Sequence, residues 1–226
     1  MGFVVAVWGL NYLFVREGLT MAPPLWLAAF RAGAGAVVLV PVLALTGRYS
    51  GLSGLDVRDA LAIGIPNTAL FFGLWFLAAG AVLPGETAVL VYTFPLFVTL
   101  LAPSFLRAQV SRNQLLAVAG GFGGVVLVCQ PWIGGTAGLA PLPVLALLLA
   151  ALSWALGTVL FKRRFAGRTV LAANSAQLLG GAGGLFVAAV LVEGPAVPAP
   201  TVPLLAVVVW LGVVGTAAAY AIWFSL

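Results

Sequence analysis

Apolar residues run along this chain in stretches of roughly 20, the length that crosses a hydrocarbon core, separated by short polar or Gly/Pro-rich breaks. The pattern predicts membrane helices over residues 3–19, 24–46, 59–79, 84–106, 112–130, 139–161, 170–192 and 204–225. The breaks carry their own signals. Met21-Ala22-Pro23-Pro24 reads as a tight turn, and residues 46–59 are polar and Gly-rich. Residues 107–113 are basic, whereas 131–143 and 194–203 are Pro/Gly loops without a basic residue.

The chain also repeats itself. The run beginning at Trp8 (WGLNYLFVRE) is echoed at Trp154 (WALGTVLFKRR), 146 positions later. Ile63-Gly64-Ile65, Thr68-Ala69 and Trp75-Phe76 line up with Leu211-Gly212-Val213, Thr216-Ala217 and Trp223-Phe224, offset by 148. Five apolar segments separate the copies, and an odd number turns the second copy upside down. Inverted repeats of this kind build secondary transporters, with the substrate at the repeat interface near the bilayer midplane. The first copy, residues 1–130, holds five predicted helices; the second, residues 139–226, holds three. Projecting the offset predicts two further helices, about 50 residues, so the expectation is a ten-helix protein of which eight helices are present. The alternative is a natural eight-helix variant.

Composition agrees with lipid as the solvent. The chain is 63% hydrophobic and 7% charged, with a mean hydropathy of +1.20, against about 25% charged for a soluble domain. The net charge of +5 does not indicate nucleic acid, because the charges lie in short loops where they orient helices. With the N-terminus in the cytoplasm, the inside loops hold Arg48, Arg58, Arg107, Arg112, Lys162, Arg163, Arg164 and Arg168, eight of the ten basic residues. The reverse orientation breaks the positive-inside rule throughout. Cys129 is the single cysteine and histidine is absent, so neither a disulfide nor a recognisable zinc or haem site is expected. No phosphate-binding loop indicates direct ATP drive. A membrane enzyme needs a concentrated polar centre, which five acids and no histidine do not supply. No cofactor is expected.

Several motifs point to one family. Trp8-Gly9-Leu10-Asn11-Tyr12, Arg16-Glu17-Gly18-Leu19, Pro23-Pro24 and Ala29-Phe30-Arg31 resemble the opening of an EamA-type transporter of the drug/metabolite transporter superfamily. Val91-Tyr92-Thr93-Phe94-Pro95-Leu96-Phe97, Gln114 and the run from Gly120 to Val128 resemble the fourth and fifth helices of its unit, and Ser153-Trp154-Ala155 the start of the second unit. The resemblance implies an all-α membrane protein of two inverted five-helix units that moves small metabolites or drugs, amino acids among them, across a bacterial or archaeal inner membrane. Its partners are then a small-molecule substrate and the bilayer, and the chain is a monomer or a homodimer. Many relatives carry an acid just after the fourth helix; here the chain reads Leu106-Arg107-Ala108-Gln109, so no role of that acid carries over. A non-transporting scaffold or an incomplete transporter fragment is the alternative reading.

Candidate site residues follow from the cost of polar groups in lipid. Arg31 lies about 10 Å into the second span and is expected to pair with Glu86 or Glu17, either as a charge lent to an outer vestibule or as a fixed clamp between helices. Glu17 and Glu86 are also the coupling candidates for proton antiport, with exchange and facilitated transport equally open. The pocket is expected from Trp8, Asn11 and Tyr12, from Asn67, Phe71 and Trp75, from Tyr92 and Thr93, and from Trp154, Gln177, Tyr220 and Trp223. Trp8 and Asn11 share a face, and amides in lipid want partners. Trp26, Trp132 and Trp210 are expected in the interfacial aromatic belt. Gly120/Gly124 and Gly180/Gly184 are small-xxx-small faces expected to pack inside the bundle. Pro66 and Pro95 are expected to kink their helices, as hinges or as static bends.

Overall fold

The computed structural model of the chain describes residues 2–45, 47, 52–129, 140–166, 170–219 and 222, with the side chains of 2–5 and 128–129 left aside. The described residues are helical, without a strand. In chain order the helices are α1 (Gly2–Gly18), α2 (Pro24–Leu45), α3 (Gly54–Ala79), α4 (Pro84–Leu106), α5 (Arg112–Cys129), α6 (Pro141–Phe165), α7 (Val170–Val192) and α8 (Val202–Ala218). Of these, α2, α3, α4, α6 and α7 are long and apolar enough to cross a membrane. The protein is an all-α membrane fold.

Two boundaries move from their predicted places, each for a local reason. α3 begins at Gly54 rather than residue 59, because Ser53 and Asp56 close a capping box: Ser53 Oγ accepts the Asp56 N–H at 3.1 Å, and Asp56 accepts the Ser53 N–H at 2.9 Å. α6 runs on to Phe165 because Lys162, Arg163 and Arg164 occupy its last turn, where cations suit the helix dipole.

Both prolines singled out in the sequence sit at irregularities. Pro66 lies in a π-helical turn, Ile65–Leu70, in the middle of α3. Pro95 opens the second half of α4, which breaks at Tyr92–Thr93 between Pro84–Val91 and Phe94–Leu106. A missing N–H at each position leaves the ladder one bond short. A second π-helical stretch, Trp210–Ala218, ends α8. It covers the residues that the 148-residue offset pairs with Ile65–Leu70.

Helices cross where glycine lets backbones meet. Gly64 of α3 faces the Gln177 carbonyl and the Gly181 nitrogen of α7, and Gly180 of α7 faces the Leu61 carbonyl. Gly212 of α8 faces the Arg31 carbonyl and the Gly35 nitrogen of α2. Gly184 also packs as expected, on Ile65 and Ala69. Gly120 and Gly124 do not: a side chain there meets open space, and it is Gly121 that receives Leu96. The turn of helix that seats α5 on α4 is thus one residue away from the predicted face.

The main core fills one end of the bundle. Val15, Leu27, Phe76, Leu90 and Leu211 are fully buried there, with Tyr12, Phe72 and Trp75 beside them. Trp26 belongs to packing rather than to an interfacial belt. It is buried between α2 and α7 and donates Nε1–H to the Gly194 carbonyl at 3.3 Å. Trp210 stacks on Phe14 with centroids 4.6 Å apart; Trp132 lies outside the described residues.

Candidate functional site: an aromatic, amide-lined cavity

α1, α3, α4, α6 and α7 surround a cavity of about 720 Å³. It reaches the end of the bundle marked by Lys162 and Ala166, and its deeper wall carries Trp8, Tyr92, Phe94 and Trp154. Three amides, Asn67, Asn174 and Gln177, line it as well. Trp8, Tyr92 and Trp154 are shared with a smaller space of about 40 Å³, which also touches Asn11, Tyr12 and Arg31. That space holds only a few waters.

The aromatic wall is ordered by stacking. Trp154 lies between Phe94, 3.8 Å away centroid to centroid at 25°, and Phe71, 4.7 Å away at 19°. Phe71 continues to Trp75 at 5.5 Å, and Trp75 to Tyr12 at 4.9 Å. Offset contacts of this kind stabilise by about 0.5–1.5 kcal/mol beyond burial. The break in α4 positions its part of the wall. Because the helix restarts at Phe94, Tyr92 and Phe94 both reach the cavity, which two positions of an unbroken helix, about 200° apart, do not do.

The π-helical turns hold the tryptophan helices in place. Trp8 Nε1–H donates to the Gly215 carbonyl at 3.2 Å, within the π stretch of α8. Ser153 Oγ–H donates to the Pro66 carbonyl at 2.6 Å, within that of α3. A π turn displaces carbonyls from the regular ladder and makes them available to neighbours.

Arg31 sits at the blind end, 4% exposed. Its guanidinium carbon lies 4.2 Å from the Phe72 ring centre and 5.0 Å from that of Trp75, within cation–π range. Its Nε–H donates to Thr216 Oγ1 at 3.4 Å. The expected ion pair with Glu86 or Glu17 is not formed. Glu86 instead accepts the Leu83 N–H at 3.2 Å and caps its own helix, and Glu17 is exposed at the end of α1.

The structure therefore brings together Trp8, Asn11, Tyr12, Arg31, Phe71, Trp75, Tyr92 and Trp154 around the smaller space, and Asn67 and Gln177 around the larger one. Asn67 Nδ2 donates to Gln177 Oε1 at 3.3 Å. Thr93 does not join them: it is buried and returns its hydroxyl proton to the Leu90 carbonyl at 2.7 Å, satisfying the helix break. Tyr220 and Trp223 lie outside the described residues. Sequence reasoning missed Asn174, although it stands three positions before Gln177 and so shares its face. It also missed Phe161 and Phe165, an i, i+4 pair on α6 that lines the larger cavity and reads as ordinary apolar helix. Among the described residues no cluster of three or more His, Cys, Asp or Glu side chains is placed to hold a metal ion.

The chain resembles known proteins along nearly its whole length. The EamA-like transporter family matches residues 1–130. Protein PecM of Dickeya dadantii (strain 3937) is 35% identical over 228 residues, covering 99% of this chain and 72% of that protein. The uncharacterized transporter YoaV of Bacillus subtilis (strain 168) is 25% identical, covering 98% and 76%. A probable amino-acid metabolite efflux pump of Escherichia coli (strain K12) is 29% identical over 161 residues, 71% of this chain and 51% of that one. A crystal structure of another protein shares the fold with a TM-score of 0.67 at 21% identity, covering 98% of this chain and 75% of its own. By its sequence match over more than half its length and by the likeness to PecM, this multi-pass membrane protein belongs to the EamA-like transporter family.

Proposed function

We propose that the protein is a secondary transporter that moves a small amphipathic metabolite across the inner membrane by alternating access. The observation that carries this reading is the cavity of about 720 Å³, walled by stacked aromatics and amides, which reaches one end of the bundle and narrows at Trp8, Tyr92 and Trp154. The other end is closed by the main core around Val15, Leu27 and Phe76. By the charge bias of the loops the open end, beside Lys162, faces the cytoplasm and the N-terminus lies on that side. The conformation is then inward-open, and the break in α4 and the π turn in α3 are the points at which the walls bend to close it. Amphipathic cargo suits a surface that offers rings and amides along its walls, with a charge at its depth, Arg31, and one at its mouth, Lys162. The efflux activity named for the Escherichia coli relative supports the same reading.

Flux in proteoliposomes tests it. The 226-residue chain is reconstituted and offered a panel of amino acids, aromatic acids and aromatic cations, with and without a pH gradient. Saturable flux of at least one amphipathic solute is expected, and dependence on the gradient separates antiport from facilitated movement. No flux of any panel member overturns the reading.

A further inference from the structure

Arg31 and Gln177 occupy matching places in two matching helix crossings. Arg31 stands one turn before Gly35 on α2, and Gln177 one turn before Gly181 on α7. Gly35 faces the Gly212 carbonyl and Thr216 of α8, while Gly181 faces the Gly64 carbonyl and Thr68 of α3. Gly64 with Gly212, and Thr68 with Thr216, are the pairs separated by 148 positions. The backbones thus make the same crossing twice, but one bears a cation and the other a neutral amide.

Their surroundings point to a ligand. The Arg31 cation borders the smaller space together with Asn11 and Trp75, which are 2% and 3% exposed. Among the described residues Asn11 Oδ1 and Trp75 Nε1 have no hydrogen-bond partner, although buried polar atoms nearly always find one. At the larger cavity Asn174, 6% exposed, likewise has no partner for its Oδ1 among the described residues. The guanidinium and the Trp75 N–H are donors suited to an anionic head. Asn11 Oδ1 accepts from a donor next to that head. Between the two ends Trp8, Tyr92, Phe94 and the edge of Trp154 wall the room for a planar body, and the amides Asn174 and Gln177 meet its far end, with Lys162 beyond them at the mouth.

We infer that Arg31 and Gln177 are the specificity-determining pair of the cavity: the transported solute is an aromatic monocarboxylate, its acid held at Arg31 and its uncharged end at Asn174 and Gln177. This deepens the transport reading and rests on it. A neutral analogue forfeits the charged contact, and a diacid sets its second charge against the neutral amides Asn174 and Gln177.

Binding to the purified chain in nanodiscs, read by isothermal titration calorimetry, tests the inference without requiring flux. The probes are 3-phenyllactate, its neutral amide 3-phenyllactamide, and benzene-1,4-diacetate. The wild-type chain is expected to bind phenyllactate at least tenfold more tightly than the amide. Arg31→Gln removes that preference while the amide still binds, and Arg31→Lys keeps it. Gln177→Arg gains at least tenfold for the diacid. Equal affinity for acid and amide, persistence of the preference in Arg31→Gln, or no binding of any probe overturns the inference. Acid preference without flux refutes the transport reading alone; flux of neutral solutes with no acid preference refutes this inference alone.

Discussion

Arg31 Nε–H donates to Thr216 Oγ1 across 3.4 Å, and Thr216 sends its own proton to the Leu211 carbonyl at 2.8 Å. The second bond spans five residues, the spacing of the π-helical stretch in which both lie. The cation of α2 is therefore oriented by an irregular turn of α8.

That chain of hydrogen bonds predicts the effect of Thr216→Val, which keeps the side-chain shape and removes the acceptor. The long first bond and the burial of Thr216 together put the loss at about 1 kcal/mol. Thermal unfolding in detergent is expected to show a lower melting temperature for Thr216→Val and near-wild-type behaviour for Thr216→Ser. A Val variant as stable as wild type would show that the ring contacts alone hold Arg31.

The glycine crossings make a sharper prediction. A Cβ on Gly64 meets the Gln177 carbonyl, and one on Gly212 lies 2.7 Å from the Arg31 carbonyl, so a backbone must move in either case. Gly64→Ala and Gly212→Ala are each expected to destabilise by about 2 kcal/mol or more, as overpacking between backbones does. Gly9 and Gly123 meet nothing within 4 Å, and their alanine variants are expected to fold normally, with about 0.5–1 kcal/mol gained in helix propensity. The yield of monodisperse protein on size-exclusion chromatography separates the two groups.

Much of this arrangement was legible in the chain, and the misses have physical causes. Pro23-Pro24 and the loop that begins at Gly194 mark helix ends, because such residues cannot continue a helix. Trp8 and Trp154, read as a repeated pair, do share one cavity wall. Glu86 misled because an acid at the start of a helix in lipid has two equivalent explanations, a partner on another helix or its own backbone N–H groups, and only the coordinates decide between them. Thr93 misled in the same way, since a hydroxyl at a helix break is satisfied locally. Phe94 was hidden because helical periodicity cannot be read across the break at Tyr92–Thr93.

The stacking of Trp154 makes it the residue whose truncation most affects the cavity. Trp154→Ala removes two stacked contacts, with Phe94 and Phe71, together with part of the wall between the two spaces. A solute packed against that wall is expected to lose at least tenfold in affinity, about 1.4 kcal/mol, while Trp154→Phe retains most of it. Concentration dependence of flux, or calorimetry with an aromatic probe, measures the difference. Unchanged affinity in Trp154→Ala would move the substrate away from this wall.

Glu193, which the sequence did not mark, ties α7 to the start of α2. Its two carboxylate oxygens accept the Leu25 N–H at 2.8 Å and the Trp26 N–H at 3.0 Å. First-turn N–H groups have no partner within their own helix, and a negative charge there also opposes the helix dipole favourably. The adjoining Gly194 carbonyl takes the Trp26 indole N–H, so the loop after α7 is fastened at three points. Glu193→Gln keeps one acceptor oxygen and loses the charge; Glu193→Ala loses both. The expected cost is about 1–2 kcal/mol for Ala, as for removal of a helix cap, and less for Gln. Melting temperatures in detergent should fall in the order wild type, Gln, Ala. Glu193 lines neither space of the site, so the solute affinity of the folded variants should stay at the wild-type value. A fall in affinity without a fall in melting temperature would mean that this fastening, rather than stabilising the fold, sets the state in which the cavity is open.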